Sequence, residues 1–380
     1  FWSPDTDPYS PYLTFQSMET LKIAYIGMGY RGKQLLALCR HIPYFQITAI
    51  ADPEAREEVY GVPCYHRGGD DYQRMIATHA PQLVFIASPW QLHVTHALYC
   101  LKAGCHVALE IKGGLYLHEY QPLLEAADAC GKKVFPLENT LFRQEVLAMY
   151  NLVREGALGE IVHLRGGYRH DLRNLLLDDK GNMGNRKKTE SIWRSKFYLQ
   201  ENGDLYPTHG LAPLCLIAGI PRKDRLVCLT SFSSKAAGLH QRIRELGGDE
   251  QLAVAQGDIV LTQLETASGV LISLTHDTTL PRPRSLDLEV QGTKGIWQGE
   301  LRRIYLEGRS PHETWEPDTP YLQQYAHTYW KRWGEEALRL DTHHEGMDYI
   351  MLKALEADLK QELCKMGIII ALHRIIMRIT

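Results

Sequence analysis

The sequence predicts an α/β protein in which a doubly wound parallel sheet is followed by an α+β domain with a large, mostly antiparallel open sheet. Three observations carry this prediction. Short apolar runs alternate with helical patterns over the first third of the chain, a glycine triplet follows the first run, and long alternating apolar and polar runs fill the second half.

The run 23–26 reads as a buried strand, and Gly27, Gly29 and Gly32 follow at G-x-G-x-x-G spacing ahead of a helical pattern over 33–39. Gly27 permits a tight turn, Gly29 leaves no Cβ between the backbone and a pyrophosphate, and Gly32 lets helix and strand pack closely. Met28, Tyr30 and Arg31 share that loop, so all six residues are expected at the phosphates. A second apolar run, 46–51, ends in Asp52, where a carboxylate accepts from a ribose 2′-hydroxyl and repels a 2′-phosphate. The expected cofactor is therefore NAD rather than NADP, in a Rossmann domain over 18–136.

Further strands are predicted at 83–87, 106–109 and 133–135, with helices at 72–79, 91–103 and 119–130. After Glu138 the character changes. A helix at 144–155 precedes strands at 160–167, 226–233, 258–266, 270–278, 286–291 and 295–307, and the alternation in 259–264 implies one buried face. The polar excursions 175–203 and 238–256 read as loops. An amphipathic helix over 344–361 is expected to return to the first domain, closing a second domain over 137–361.

Composition narrows the function classes. The 380 residues suffice for two cores, and a net charge of -3 without a basic stripe argues against nucleic acid and anionic membrane as partners. The eight cysteines are scattered singly without metal-ligand spacing, so they read as reduced packing residues, and no metal is expected. Residues 1–17 lack a secretory pattern, and Tyr12 to Ser17 looks like the scar of a viral protease site. Met18 is then the first cloned residue and 1–17 a tag or linker. The residues present point to the cytoplasm; a periplasmic or secreted location stays open if an export signal was removed, and so does a homo-oligomer. The closing stretch 362–380 is assigned no function.

The chemistry-bearing residues follow the strands. Ser88, Trp90 and His93 come after the third strand, where the chain crosses the nicotinamide half of a dinucleotide; Trp90 suits covering a ribose or sugar face, and His93 suits the helix start. The stretch 106–114 resembles the glucose-fructose oxidoreductase and inositol dehydrogenase superfamily, which usually ends this strand with Glu-Lys-Pro, the Lys serving hydride transfer. Here the order is Glu110-Ile111-Lys112-Gly113, and a lysine one place late turns to the opposite face of a strand.

Three motifs narrow the likeness: Leu137-Glu138-Asn139, the run from Gly166 to Arg173, and Asn202-Gly203-Asp204-Leu205-Tyr206-Pro207-Thr208-His209-Gly210. With Trp193-Arg194, they closely resemble glycoside hydrolase family 109, the NAD-dependent α-N-acetylgalactosaminidases, from about residue 21 to 360. The resemblance implies bound NAD, no metal, and a glycan ending in N-acetylhexosamine. Glu138, Asn139, Trp193 and Arg194 are the expected substrate contacts, with Glu110 and Asn139 also at the cofactor.

Residue chemistry agrees with a sugar site. Tyr206 and His209 lie three apart at the start of a helical run and share a face, with Pro207 suited to the first turn. A neutral imidazole accepts protons near pH 7 while tyrosine titrates at about pH 10, so His209 reads as the base and Tyr206 as a donor or positioning group. Tyr168, followed by Arg169 and His170, is a candidate tyrosinate-like base for sugar C2 if nearby cations favour its charged form. No carboxylate pair for direct displacement stands out. The resemblance to the NAD-dependent family implies instead transient oxidation at C3, elimination across C1–C2, water addition and re-reduction. The same residues leave an NAD-dependent sugar or polyol dehydrogenase, or a non-catalytic dinucleotide sensor, as alternatives.

Overall fold

The computed structural model describes residues 20–220 and 223–360. The tag or linker expected over 1–17 and the tail over 362–380 lie outside the described residues.

The first domain runs β1 (Leu21–Ile26), α1 (Tyr30–Cys39), β2 (Phe45–Ala51), α2 (Glu57–Tyr60), β3 (Cys64–Tyr65), α3 (Asp71–His79), β4 (Leu83–Ile86), α4 (His93–Lys102), β5 (His106–Leu109), α5 (Leu117–Cys130) and β6 (Val134–Pro136). Its strands pair in parallel in the order β3-β2-β1-β4-β5-β6. Helices cover both faces, so β1 and β4 are apolar and buried nearly throughout, with Tyr25 stacked on Phe85 at 4.9 Å. Strand order reverses between β1 and β4, and a crevice opens at their carboxyl ends. The sequence pattern misses α2 and β3, which are too short to show a period.

Beyond a single 3-10 turn, Asn139–Phe142, come α6 (Gln144–Arg154), β7 (Ile161–Arg169), α7 (Arg173–Leu176), α8 (Thr189–Gln200), α9 (Pro207–Ala218), β8 (Leu226–Ser233), α10 (Gly238–Glu245), β9 (Ile259–Thr266) and β10 (Leu271–Asp277). The chain continues through β11 (Glu289–Gly292), β12 (Gly295–Gln298), β13 (Arg303–Leu306), β14 (Glu316–Pro317), α11 (Thr319–Gln324), α12 (Thr328–Leu340) and α13 (Met347–Leu359). Eight strands form one sheet in the order β14-β13-β12-β11-β7-β10-β9-β8, antiparallel except where β7 meets β10. The alternation expected in 259–264 appears in β9, whose residues point alternately into the core and out of it.

Three expectations are corrected. The run 295–307 is two strands, β12 and β13, paired through a turn. The stretch 175–203 takes in the end of α7 and all of α8, and 238–256 begins with α10. The buried face of α8 is Ser191, Ser195 and Tyr198, with the Ser195 hydroxyl donating to the Leu176 carbonyl at 3.3 Å, so aliphatic periodicity is muted. The closing helix is not amphipathic: α13 is buried on nearly every side, because it is packed among α1, α12 and the 139–142 turn. Among the described residues, seven cysteines are free, and no helix is long and apolar enough to cross a membrane.

One polar cluster fastens α13 to the first domain. Asp348, fully buried, accepts from the Arg31 guanidinium at 2.7 and 3.0 Å, from Asn139 Nδ2 at 2.9 Å and from His344 Nδ1 at 2.7 Å. Burial would raise this carboxyl, but the Arg31 charge and the His344 and Arg31 hydrogen bonds hold it far below the usual range. A depressed carboxylate contributes stability that is complete above its unfolded value of about pH 4 and lost as the pH falls below it. Replacing Asp348 by Asn removes the charge opposite buried Arg31 and is expected to cost about 3 kcal/mol at pH 7 by urea denaturation. The variant should also lose less further stability than the parent below about pH 4; parallel acid limbs would exclude Asp348 as the titrating group.

Candidate active site

The crevice opens into a cavity of about 920 Å³ that runs from Asp52 to His209. At its first-domain end the glycines behave as their spacing implies. Gly27 has φ +94°, and a Cβ there would lie 2.5 Å from Ser88 N; a Cβ on Gly32 would lie 2.2 Å from Gly27 O. Only hydrogen fits at either place. At Gly29 the nearest atom to such a Cβ is Thr189 Oγ1 at 3.8 Å, so the backbone faces open cavity. No side chain caps α1, which leaves the first-turn N–H groups of Tyr30, Arg31 and Gly32 for a phosphate.

Asp52 closes β2 at the adenosine end. Its Oδ2 accepts from Met28 N and its Oδ1 from Glu54 N, both at 2.8 Å, which fixes the carboxylate in the wall with lone pairs to spare for ribose hydroxyls. Asn139 fits the other end: Asp348 only accepts, so Asn139 presents Nδ2 to it, and Oδ1 is left buried without a partner among the described residues while the residue lines the cavity. These donors and acceptors fit a dinucleotide.

Several residues expected at the cofactor play other parts. Arg31 and Glu110 line the cavity, but their charges meet each other at 3.0 Å, so Arg31 is a domain tie and not a phosphate clamp. Tyr30 sits exposed at the lip. The His93 ring is held between the carbonyls of Ser88, 2.7 Å from Nε2, and Gly113, 3.2 Å from Nδ1. Burial pushes it down to about 4, so the ring is neutral and its single proton goes to the shorter contact with Ser88 O. His93 braces two loops. Ser88 Oγ shares a 3.0 Å hydrogen bond with Nδ1 of His96, which burial likewise keeps neutral.

The displaced lysine keeps out of the cavity. Ile111 lines it instead, the Ile111–Lys112 peptide is cis, and Lys112 Nζ lies 5.2 Å over the Trp90 ring. Burial lowers this ammonium, against the pull of Asp204.

At the second-domain end, α9 lies against β7 at glycine distance: a Cβ on Gly210 would sit 2.3 Å from Gly167 N. That approach sets Tyr168 of β7 against Tyr206 and His209 at the start of α9, with ring centroids 4.6 and 5.0 Å apart. Tyr206 and His209 stack with 6° between their planes, and Pro207 occupies the first turn as expected. Asp204 Oδ1 accepts from Tyr206 N at 2.8 Å and holds the turn.

Glu138 lies behind His209, not in the cavity wall. It is fully buried, and its Oε1 takes the His209 Nδ1 proton at 2.7 Å and the Thr140 hydroxyl at 2.6 Å. Burial works to raise its carboxyl, but the neighbouring His209 and the hydrogen bonds from His209 and Thr140 outweigh it and hold the group ionised. The expectation that Glu138 touches substrate is therefore corrected: it orients an imidazole. With Nδ1 committed, Nε2 of His209 is the acceptor left to the cavity.

The aromatic wall is continuous. Trp90 packs on Trp193 at 4.9 Å and on Tyr206 at 5.1 Å, and the Arg194 guanidinium lies 5.1–5.3 Å over Trp90, Trp193 and Tyr206. Trp193 and Arg194 both line the cavity, on helix α8 where the sequence suggested a loop. The cations acting on Tyr168 are not its sequence neighbours, because Arg169 is engaged by Asp287 at 3.0 Å. They are Arg284 and Arg194, and burial outweighs both, so the Tyr168 phenol is raised and protonated at neutral pH. Its hydroxyl lies 3.0 Å from Nδ1 of His170, which burial and Arg284 hold below its ordinary value and hence neutral. Tyr168 and His170 thus share a hydrogen bond between neutral groups, a pairing that adjacency in sequence alone does not reveal; Arg284 carries no sequence signal at all.

This fold and cavity define an enzyme that handles a sugar beside a nicotinamide cofactor. Residues 142–368 match the profile of the glycosyl hydrolase 109 C-terminal domain, and 21–136 that of the oxidoreductase family with an NAD-binding Rossmann fold. A family 109 protein of Stenotrophomonas maltophilia is 34% identical over 90% of this chain and 80% of its own length. The α-N-acetylgalactosaminidase of Tannerella forsythia is 32% identical over 86% and 72%. An inositol dehydrogenase homolog complexed with NAD+ from Azotobacter vinelandii superposes with a TM-score of 0.66 over 94% of each chain at 17% identity, a likeness of fold. This chain belongs to glycoside hydrolase family 109, and it is an NAD-dependent glycosidase.

Substituting Gly210 by Ala drives a methyl into the β7 backbone, and such overpacking is expected to cost about 1–3 kcal/mol. Calorimetry of the variant should show a lowered Tm, and turnover should fall with it as Tyr168 separates from His209. An unchanged melting curve would show that the approach of α9 is not close.

Proposed function

We propose that this glycosidase releases terminal α-linked N-acetylgalactosamine by transient oxidation at C3, and that His209, Tyr168 and Tyr206 carry the proton steps. The observation that supports this most directly is the Tyr206 hydroxyl, which is buried in the cavity wall beside His209 without a partner among the described residues. Burial keeps that phenol protonated against the pull of Arg194, so it has a proton to donate to a sugar oxygen.

NAD, when bound, supplies a hydride acceptor for C3 and returns the hydride at the end of the cycle. His209 Nε2 takes the C3 hydroxyl proton, while Glu138 fixes the ring through Nδ1 and stabilises the charge it gains. The resulting ketone acidifies the C2–H. Tyr168 passes its own proton to His170 as it removes the one on C2, with Arg194 and Arg284 opposing the cost of a buried tyrosinate. The aglycone leaves C1 as the C1–C2 double bond forms, its oxygen taking the Tyr206 proton. Water then adds at C1 and gives up a proton to Tyr206, Tyr168 returns a proton to C2 and recovers its own from His170, and His209 returns one to the C3 oxygen. Trp90 and Trp193 give the sugar ring an apolar face on which to rest.

Incubation with nitrophenyl α-N-acetylgalactosaminide in heavy water tests this scheme. Nitrophenol release with deuterium at C2 and no accumulated reduced nicotinamide is the expected result, whereas stoichiometric reduced nicotinamide identifies a net dehydrogenase. His209→Ala should lower release by about 10²–10⁴-fold, the usual scale for a positioned acid or base. Tyr168→Phe should lose release and C2 exchange alike, yet still reduce nicotinamide in a single turnover; retained C2 exchange would remove Tyr168 from the base role.

A further inference from the structure

A second cavity, of about 320 Å³, adjoins the first, and the two share Arg284, His343 and His344 in their walls. Its size falls within the range of small-molecule pockets, about 300–1,000 Å³. A sugar held among Tyr168, Tyr206 and His209 must direct its aglycone to some neighbouring space, and this one adjoins through a shared wall.

The charges in the second cavity are already matched, with one exception. Arg143 pairs with Glu145 and Glu345, Arg302 with Asp318, and Glu300 accepts the N–H groups of Leu286 and Asp287. Arg284 has no hydrogen bond or ion pair among the described residues. Its neighbours do: Arg282 meets Asp277 at 2.8 Å, and Arg169 meets Asp287 at 3.0 Å. The backbone around it is held firmly. Pro281 and Pro283 fix two φ angles, and Ser285 exchanges two backbone hydrogen bonds with Arg169, at 2.8 and 3.0 Å. The protein thus presents one uncommitted guanidinium at the junction of the two cavities, on a stiff support, where its charge also reaches Tyr168 and His170.

We propose that the smaller cavity is the aglycone subsite and that Arg284 pairs there with an anionic substituent, a carboxylate or a sulfate ester, on the unit next to the cleaved bond. This rests on the N-acetylgalactosaminidase reading and adds the chemistry of the leaving group. A guanidinium offers two parallel donors to either oxyanion.

The test compares three disaccharides in which α-N-acetylgalactosamine is linked to galactose, to galacturonate or to galactose 6-sulfate. At low ionic strength, kcat/KM for at least one acidic substrate should exceed that for the neutral one by about threefold, the scale of an exposed ion pair. The ratio should shrink in high salt, fall to about one in Arg284→Gln, and survive in Arg282→Gln. The sulfate and uronate arms separate the two anions. Cleavage with no acidic preference, or a preference untouched by Arg284→Gln, overturns the subsite and leaves the glycosidase standing. If none of the three is cleaved, calorimetric titration with the same sugars still reads the subsite. Tighter binding of an acidic disaccharide that disappears in Arg284→Gln would retain the subsite and refute only the sugar assignment; equal binding of all three overturns the subsite.

Discussion

The site depends on how closely one helix can approach one strand. Gly210 on α9 meets the β7 backbone at Gly167, where a Cβ on Gly210 would collide, and that contact brings a strand tyrosine against a helix-terminal tyrosine and histidine. A bulkier residue at position 210 would push α9 away from β7. Tyr168, Tyr206 and His209 would then each survive as residues while ceasing to be a group.

Around that contact, buried polar atoms are assigned in an order that leaves particular ones free. Glu138 claims Nδ1 of His209 and so exposes Nε2; Asp348 claims Nδ2 of Asn139 and so frees Oδ1; His170 Nδ1 engages the Tyr168 hydroxyl. Each assignment follows from donor and acceptor inventories rather than from charge alone. The carboxylates nearest the cavity are mostly committed to positioning, which suits a reaction in which none attacks the anomeric carbon.

Electrostatics at the two tyrosines run against a simple expectation. Arginines stand near both phenols, yet burial outweighs them, and both hydroxyls are protonated at neutral pH. In the proposed scheme a tyrosine base needs somewhere to send its proton, and a neutral imidazole lies 3.0 Å away. The arginines then lower the cost of the charge in passing instead of maintaining it at rest.

The sequence by itself determined the first domain, because β1 and its glycine loop are local: strand, turn and helix follow from adjacent residues, and Asp52 follows from the next strand. It also determined Tyr206 and His209 as a pair, since three residues along one helix fix their common face. What only the tertiary structure decided is the work of residues that meet across distant segments. Arg31 looks like a phosphate ligand by its place in the loop, but Asp348, far along the chain, claims it; Glu138 looks like a sugar contact until His209 stands in front of it. Helix α8 escaped the pattern because serines bury its inner face, and Arg284 escaped it because an unpaired charge is recognised only when every neighbour's partner is known. Local order is written in spacing, whereas commitment of a polar group depends on which other groups the fold brings within hydrogen-bond reach.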